Sequence, residues 1–268
     1  MRELTPADAR LLERFAHHVG RGINRFSMIR PGDRVLIGVS GGKDSLALSL
    51  ALVERKKWVP IDYELRAVQV EWREYPMTAE EKAGIDAFYD GLGIPFRRVL
   101  AQIAPPSFKK KFSCYTCSRN RKRILFDEAA RVGAGRVALA HHMDDIAQTT
   151  LLNMFFHGEF ATMMPVQQFF GGTLAVIRPL CEVRESEVAR LATRLKLPTA
   201  PNRCPNVHTN KRTLMKEILR SASHVNRNAV ANVYASPWKI KRDYLPSAPA
   251  DPGDDADETD VVLPDDWL

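Results

Sequence analysis

The segment between residues 34 and 57 limits most strongly how this chain can fold. A run of branched apolar residues at 34–39 leads directly into Ser40-Gly41-Gly42-Lys43-Asp44-Ser45, and a helical pattern follows over 45–57. A short apolar run reads as a strand buried on both faces. A glycine loop between strand and helix lets backbone amides turn toward an anion where the helix dipole favours negative charge. The alternation continues, with strands at 65–70, 96–100, 136–140 and 174–180. Between and after them lie helices at 78–92, 119–132, 144–156, 186–195 and 209–223. An amphipathic helix over 5–28 precedes the set, with Leu11, Leu12, Phe15, Val19, Ile23 and Phe26 at helical spacing and Pro31-Gly32-Asp33 as its stop. Strands alternating with helices predict an α/β fold, a parallel sheet flanked by helices on both faces. Ligands of such sheets bind at the carboxyl ends of the strands.

Charge narrows the partners. The chain of 268 residues carries a net charge of +7, but residues 251–268 hold eight acidic and no basic side chains. The other 250 residues set 39 basic against 24 acidic groups, a net of +15, which points to a polyanion such as nucleic acid. We divide the chain into an N-terminal helical segment (1–30), a main domain (31–245) and an acidic tail (246–268). The tail is expected to be mobile because it is rich in Pro, Asp and Gly. The absence of any run of 18 apolar residues excludes a transmembrane helix. The charged first ten residues do not read as a secretory leader, so a cytoplasmic location with reduced thiols is expected.

Four cysteines are present, and Cys114 and Cys117 form a CxxC pair. Between residues 104 and 126 stand seven basic side chains and no acidic ones: Lys109, Lys110, Lys111, Arg119, Arg121, Lys122 and Arg123. Such a field is expected to lower the thiol pKa and to favour nucleic acid. A zinc site wants four ligands, and a second CxxC is missing. Three cysteines with an open position suit an iron–sulfur cluster, the third being Cys204 in the turn-like stretch 201–206. Cys181 reads as a small buried apolar residue.

The loop at 40–45 is no Walker A motif, since Asp44 follows the lysine and the spacing from Gly38 is one residue short. It resembles the SGGxDS PP-loop of the ATP pyrophosphatase superfamily, whose members cleave ATP between the α and β phosphates. That resemblance implies that Ser40, Gly41, Gly42 and Ser45 cradle pyrophosphate, that Lys43 supplies a cation and that Asp44 helps hold Mg²⁺. The alternative is a tight strand-to-helix turn with a glycine at positive φ and a polar cap.

Further segments narrow the resemblance. Residues 114–126, CYTCSRNRKRILF, are similar to the C-x-x-C-S-R-x-R-R-x-I-L segment of the tRNA 2-thiocytidine synthetase (TtcA-like) family. His141-His142-Met143-Asp144-Asp145, with Thr149 and Asn153 beyond, resembles its H-H-x-D-D signature, and Arg178-Pro179-Leu180 its R-P-L stretch. The resemblance runs to about Tyr244. It implies ATP, Mg²⁺ and a [4Fe-4S] cluster held by Cys114, Cys117 and Cys204. The implied reaction replaces the C2 oxygen of a cytidine in tRNA by sulfur, with AMP and pyrophosphate released and with a sulfur donor such as a cysteine desulfurase. A homodimer fits the family habit.

Within that reading we assign Asp44, Asp144 and the three cysteines to catalysis and His142 and Asp145 to cofactor contacts. The alternative for 141–145 is a helix cap by Asp144 beside a solvated histidine pair. Where the family has an acidic residue after its second strand, this chain has Glu71 and Trp72. The runner-up readings are thiolation of a uridine by the same mechanism, and a PP-loop ligase or RNA-binding protein with a structural zinc CxxC.

Overall fold

The computed structural model describes residues 4–103, 114–204 and 211–245. Lys109, Lys110, Lys111 and the acidic tail from 246 lie outside the described residues. Strands β1 (Arg34–Val39), β2 (Glu64–Trp72), β3 (Phe96–Ala101), β4 (Arg136–Ala138), β5 (Val166–Phe169) and β6 (Leu174–Ile177) form one sheet in the order β3-β2-β1-β4-β6-β5. All neighbours are parallel except β5, which runs antiparallel to β6 at one edge. The parallel sheet expected from the sequence is present and carries one reversed edge strand. Its residues follow Pro165 and are only half-buried, so no continuous apolar run announces it.

Period-two alternation splits β1 between two cores. Val35, Ile37 and Val39 face the larger core, with α1 (Pro6–Arg25), α2 (Lys43–Arg55), α3 (Ala79–Leu92) and α6 (Glu185–Leu195). Leu36 faces the other side, with Leu125 and Ala129 of α4 (Cys114–Val132). Helices thus cover both faces. Further helices α5 (Met143–His157), α7 (Lys211–Val225) and α8 (Ala229–Ala235) group around Ala147, Leu219 and Val230. Tyr89 and Phe96 stack in the larger core at 4.5 Å.

The chain lays down β1, β2 and β3 in one direction, then crosses by α4 to place β4 on the opposite side of β1. The gap between β1 and β4 is a topological switch point, where loops diverge and leave a crevice beyond the carboxyl ends of the strands. The glycine loop leaves β1 there, and residues 139–142 leave β4 there.

Candidate active site

Two cavities open on that crevice, one of about 460 Å³ and one of about 250 Å³. They share Val39, Ser40, Asp44, Val70 and Arg121, so they are two lobes of one cleft.

The loop at the start of α2 forms the wall between them. Gly41 has φ +83°, a left-handed conformation, and a Cβ there would lie 3.0 Å from Gln69 Nε2. The Gly42 N–H donates to Ser40 Oγ at 3.2 Å, and the Ser45 hydroxyl donates to the Gly42 carbonyl at 3.0 Å. Lys43 Nζ lies 3.1 Å from Asp44 and 3.4 Å from Glu185. Burial works to lower the Lys43 ammonium, but these two carboxylates outweigh it and hold its pKa above the usual range. Asp44 Oδ1 is buried, faces the Lys43 ammonium at 3.1 Å and takes no aligned hydrogen bond among the described residues. A buried carboxylate oxygen with that free acceptor capacity beside a phosphate-type loop fits a divalent cation.

At the start of α5 the histidine, not Asp144, caps the helix. His142 Nδ1 accepts from Asp145 N at 3.3 Å while Asp145 Oδ2 accepts from His142 N at 3.0 Å. His142 is buried, so the pair is not solvated. Its Nε2 stands 3.9 Å from Asp44 Oδ1. Burial pushes the Asp145 carboxyl up against the opposing pull of His142 and Arg212. Asp145 lines the smaller lobe. Asp144 is turned to the start of α6, accepting from Arg184 Nε at 3.2 Å and from Glu185 N at 2.7 Å.

His141, part of the His-His-x-Asp-Asp motif but given no role of its own from the sequence, lines the smaller lobe with Ser45 and Asp145. Its Nδ1 is buried without a partner among the described residues. Burial, then Arg178 and Arg212, hold its pKa well below the ordinary value, so the imidazole is neutral. The signal was present in the His-His pair itself.

The larger lobe gathers the cysteines. Helix α4 begins at Cys114, five residues before its expected start, so Cys114 and Cys117 share one face of its first turn. Cys114, Cys117 and Cys204 all line this lobe, and among the described residues no fourth cysteine and no histidine does so. Among the described residues no three His, Cys, Asp or Glu side chains close up as a ligand set. Three thiols facing one cavity, with no fourth cysteine or histidine beside them among the described residues, nonetheless fit a cluster with one open iron in their donor chemistry.

The lowered thiol pKa expected from the basic field is not what burial gives at Cys117. Desolvation pushes this thiol up and outweighs Arg121, whose guanidinium lies 3.9 Å from Sγ. Cys181 is fully buried, and burial pushes its thiol up to about 12.

The basic helix divides by direction. Arg119 and Arg123 are exposed. Arg121 turns inward over the Trp72 ring at 5.6 Å, and Lys122 lies 4.3 Å over Phe169. Glu71 and Trp72, at the carboxyl end of β2, both line the larger lobe. The Glu71 carboxylate accepts from Lys82 Nζ at 2.6 Å and from Met77 N at 3.1 Å. No helix among the described residues is long and apolar enough to cross a membrane.

Comparison with known proteins shows the family and the fold. A family model of the PP-loop domain matches residues 13–214. The chain is 33% identical over 253 residues to a tRNA-cytidine(32) 2-sulfurtransferase of Polynucleobacter asymbioticus, covering 91% of this chain and 82% of the relative. It is 34% identical over 244 residues to a tRNA-cytidine(32) 2-sulfurtransferase of Burkholderia multivorans, covering 85% and 72%. Among solved structures, the U34-tRNA thiolase NcsA from Methanococcus maripaludis, with its [4Fe-4S] cluster, shares the fold. The TM-score is 0.72 at 21% identity, over 85% of this chain and 79% of that one.

Proposed function

The chain belongs to the tRNA-cytidine(32) 2-sulfurtransferase family, and from that membership we propose how its cleft replaces the C2 oxygen of a tRNA cytidine by sulfur. It is an ATP-using tRNA sulfurtransferase on a PP-loop domain. The observation that carries the residue assignment is one cleft with two unlike lobes. An anion-binding loop stands between them, and three thiols line one of them.

A cytosine C2 carbonyl is a poor electrophile. Transfer of AMP from ATP to its oxygen makes that oxygen part of a good leaving group, and pyrophosphate departs. Ser40, Gly41, Gly42 and Ser45 receive the departing pyrophosphate with amides and hydroxyls at the N-terminus of α2. Lys43 keeps its charge against burial and offsets the charge that develops there. Asp44, with Asp145, would hold Mg²⁺, which would polarise the phosphates.

His142 and Asp145 fix the start of α5 through their reciprocal cap and so hold Asp145 toward the smaller lobe. Asp144 anchors α6, which carries Glu185 toward Lys43, so its part in catalysis is to place that carboxylate. Cys114, Cys117 and Cys204 would hold a [4Fe-4S] cluster, which when bound supplies an iron able to carry sulfur. Sulfur then takes the C2 position as AMP leaves.

The target base reaches the cleft by leaving its stack in the anticodon loop. The relatives are named for cytidine 32, and the same position is the target in this reading. Arg119 and Arg123, with Lys109, Lys110 and Lys111, hold the tRNA backbone, while Arg121 and Lys122 support the cleft wall. Residues 31–245 are the catalytic unit, against which α1 packs. A cysteine desulfurase as donor, a homodimer and a cytoplasmic location complete the reading.

The test is an anaerobic reaction with reconstituted iron, ATP, Mg²⁺, sulfide and unmodified tRNA, followed by nucleoside mass spectrometry. The reading predicts 2-thiocytidine formed one for one with AMP. A colourless protein holding a single zinc and making no thionucleoside would overturn it.

A further inference from the structure

Cys204 lies on a segment that follows α6 and lines the larger lobe from Ala200 to Cys204. Among the described residues, three contacts tie residues 198–204 to α3 and to the phosphate loop. Pro198 packs on α3 at Gly84, where a Cβ would come within 3.3 Å of its ring. Ala200 N donates to the Gly41 carbonyl at 2.9 Å. Arg203 forms a bidentate pair with Glu81, one turn before Gly84 on α3, at 2.7 and 2.8 Å. Glu81 is itself held in the capping box of α3 with Thr78, so the anchor is rigid. A planar guanidinium paired with a fixed carboxylate at two points sets direction as well as distance.

The contact at Gly41 matters most. The Gly41 carbonyl and the Gly42 N–H belong to one planar peptide unit. Its carbonyl end holds the segment that carries Cys204. Its N–H end belongs to the loop that receives phosphate, where it donates to Ser40 Oγ at 3.2 Å. Turning one end of a rigid peptide turns the other. We propose that residues 198–204 are a strap that positions Cys204, with Arg203 and Glu81 as its positioning residues, and that nucleotide in the phosphate loop tightens it through the Gly41–Gly42 peptide. This rests on the reading of residues 40–45 as the ATP loop.

The strap gives the enzyme order. An occupied phosphate loop sets the third thiol relative to Cys114 and Cys117 across the cavity, so the sulfur-handling side is completed when ATP is in place. An exposed ion pair contributes little to global stability, so loss of Arg203 loosens the strap without unfolding the chain.

The test uses the full chain, reduced and iron-free, so that it reads the thiol and not the loaded enzyme. Alkylation of each cysteine by iodoacetamide is followed by peptide mass spectrometry, with and without α,β-methylene ATP and Mg²⁺, whose binding is measured by calorimetry. In the parent chain the analogue slows alkylation of Cys204 about fivefold, the lower end of ordinary coupling between sites. Arg203→Met and Arg203→Lys both speed alkylation of Cys204 and remove most of the analogue's effect, with unchanged melting temperature. By reciprocity they weaken the analogue's affinity by no more than the same factor.

Arg203→Lys keeps the charge, so agreement of the two variants assigns the effect to the fork. Simple occlusion by the analogue would protect Cys204 equally in the variants, and that result overturns the proposal. So does bound analogue with no change at Cys204 in the parent chain, or Arg203→Lys behaving as the parent. If calorimetry finds no binding, the ATP-loop reading fails. The strap is then judged on the variants alone, and unchanged alkylation of Cys204 overturns it.

Discussion

The two walls of the cleft are built in opposite ways. The phosphate wall is local: six consecutive residues, 40–45, running from the end of β1 into the first turn of α2, supply its amides, hydroxyls and charges, and a reciprocal cap between His142 and Asp145 fixes the neighbouring start of α5. The thiol wall is assembled from afar. Cys114 and Cys117 sit on the first turn of α4, whereas Cys204 arrives on a strap fastened by an ion pair 122 residues apart in sequence. Local construction gives a preorganised site that costs little to hold in place. Distant construction gives a site whose geometry depends on other elements and can respond to them.

That contrast predicts how each wall fails. The largest effect belongs to Asp44→Ala, which should lower ATP-dependent thiolation by about a hundredfold or more, the order of losing a charge-stabilising group in the transition state. Iron content should be unchanged. Loss of iron together with activity would show that the walls are not separable. Cys204→Ser is the converse case, expected to lose iron on anaerobic reconstitution and to keep binding the ATP analogue by calorimetry.

Gly41→Ala strikes the element common to both walls. A side chain at φ +83° costs about 1–2 kcal/mol, with crowding of Gln69 in addition. Chemical denaturation should show that loss alongside weaker analogue binding, whereas Gly93→Ala, at a similar φ but with open space around it, should affect stability only.

A smaller effect concerns pH. His141 is held neutral, its folded pKa lying below 6.5. The unfolded chain therefore binds the extra proton first, and stability conferred by the neutral ring is full above 6.5 and lost as pH falls through the folded value. His141→Gln should flatten the loss of stability between neutral and mildly acidic pH, and an unchanged slope would place the imidazole in solvent. The smallest effect is that of Arg119→Ala on the exposed face of α4. It should weaken tRNA binding uniformly and reduce the salt slope by about 1.

The local wall was also the legible one. β1 was expected at 34–39 and is found there, because a branched apolar run bounded by a turn and a glycine loop has no competing pattern. The loop and the crevice at the strand ends follow from the same segment. The distant wall left fewer traces. The start of α4 at Cys114 was missed because its first turn is polar and carries no apolar period. α8 is seven residues long, too short for periodicity to register. The edge strand β5 is half-buried and follows a proline. The contacts of Arg203 with Glu81 and of Ala200 with Gly41 join residues whose types say nothing of each other, since ion pairing across the fold leaves no spacing to read. The alternative reading of 141–145 put the α5 cap on Asp144, the commoner capping residue type, but His142 takes that position and leaves Asp144 to Arg184.

The most direct test of the central claim, that one cleft joins ATP chemistry to cysteine-held sulfur chemistry on a tRNA cytidine, is nucleoside mass spectrometry of total tRNA. Cells carrying the intact gene are compared with cells in which it is disrupted, and with disrupted cells supplied with the Cys204→Ser chain. The account predicts that 2-thiocytidine is present in the first, absent in the second and still absent in the third, with other thionucleosides unchanged. Full 2-thiocytidine in the disrupted cells, or its restoration by the Cys204→Ser chain, would contradict it.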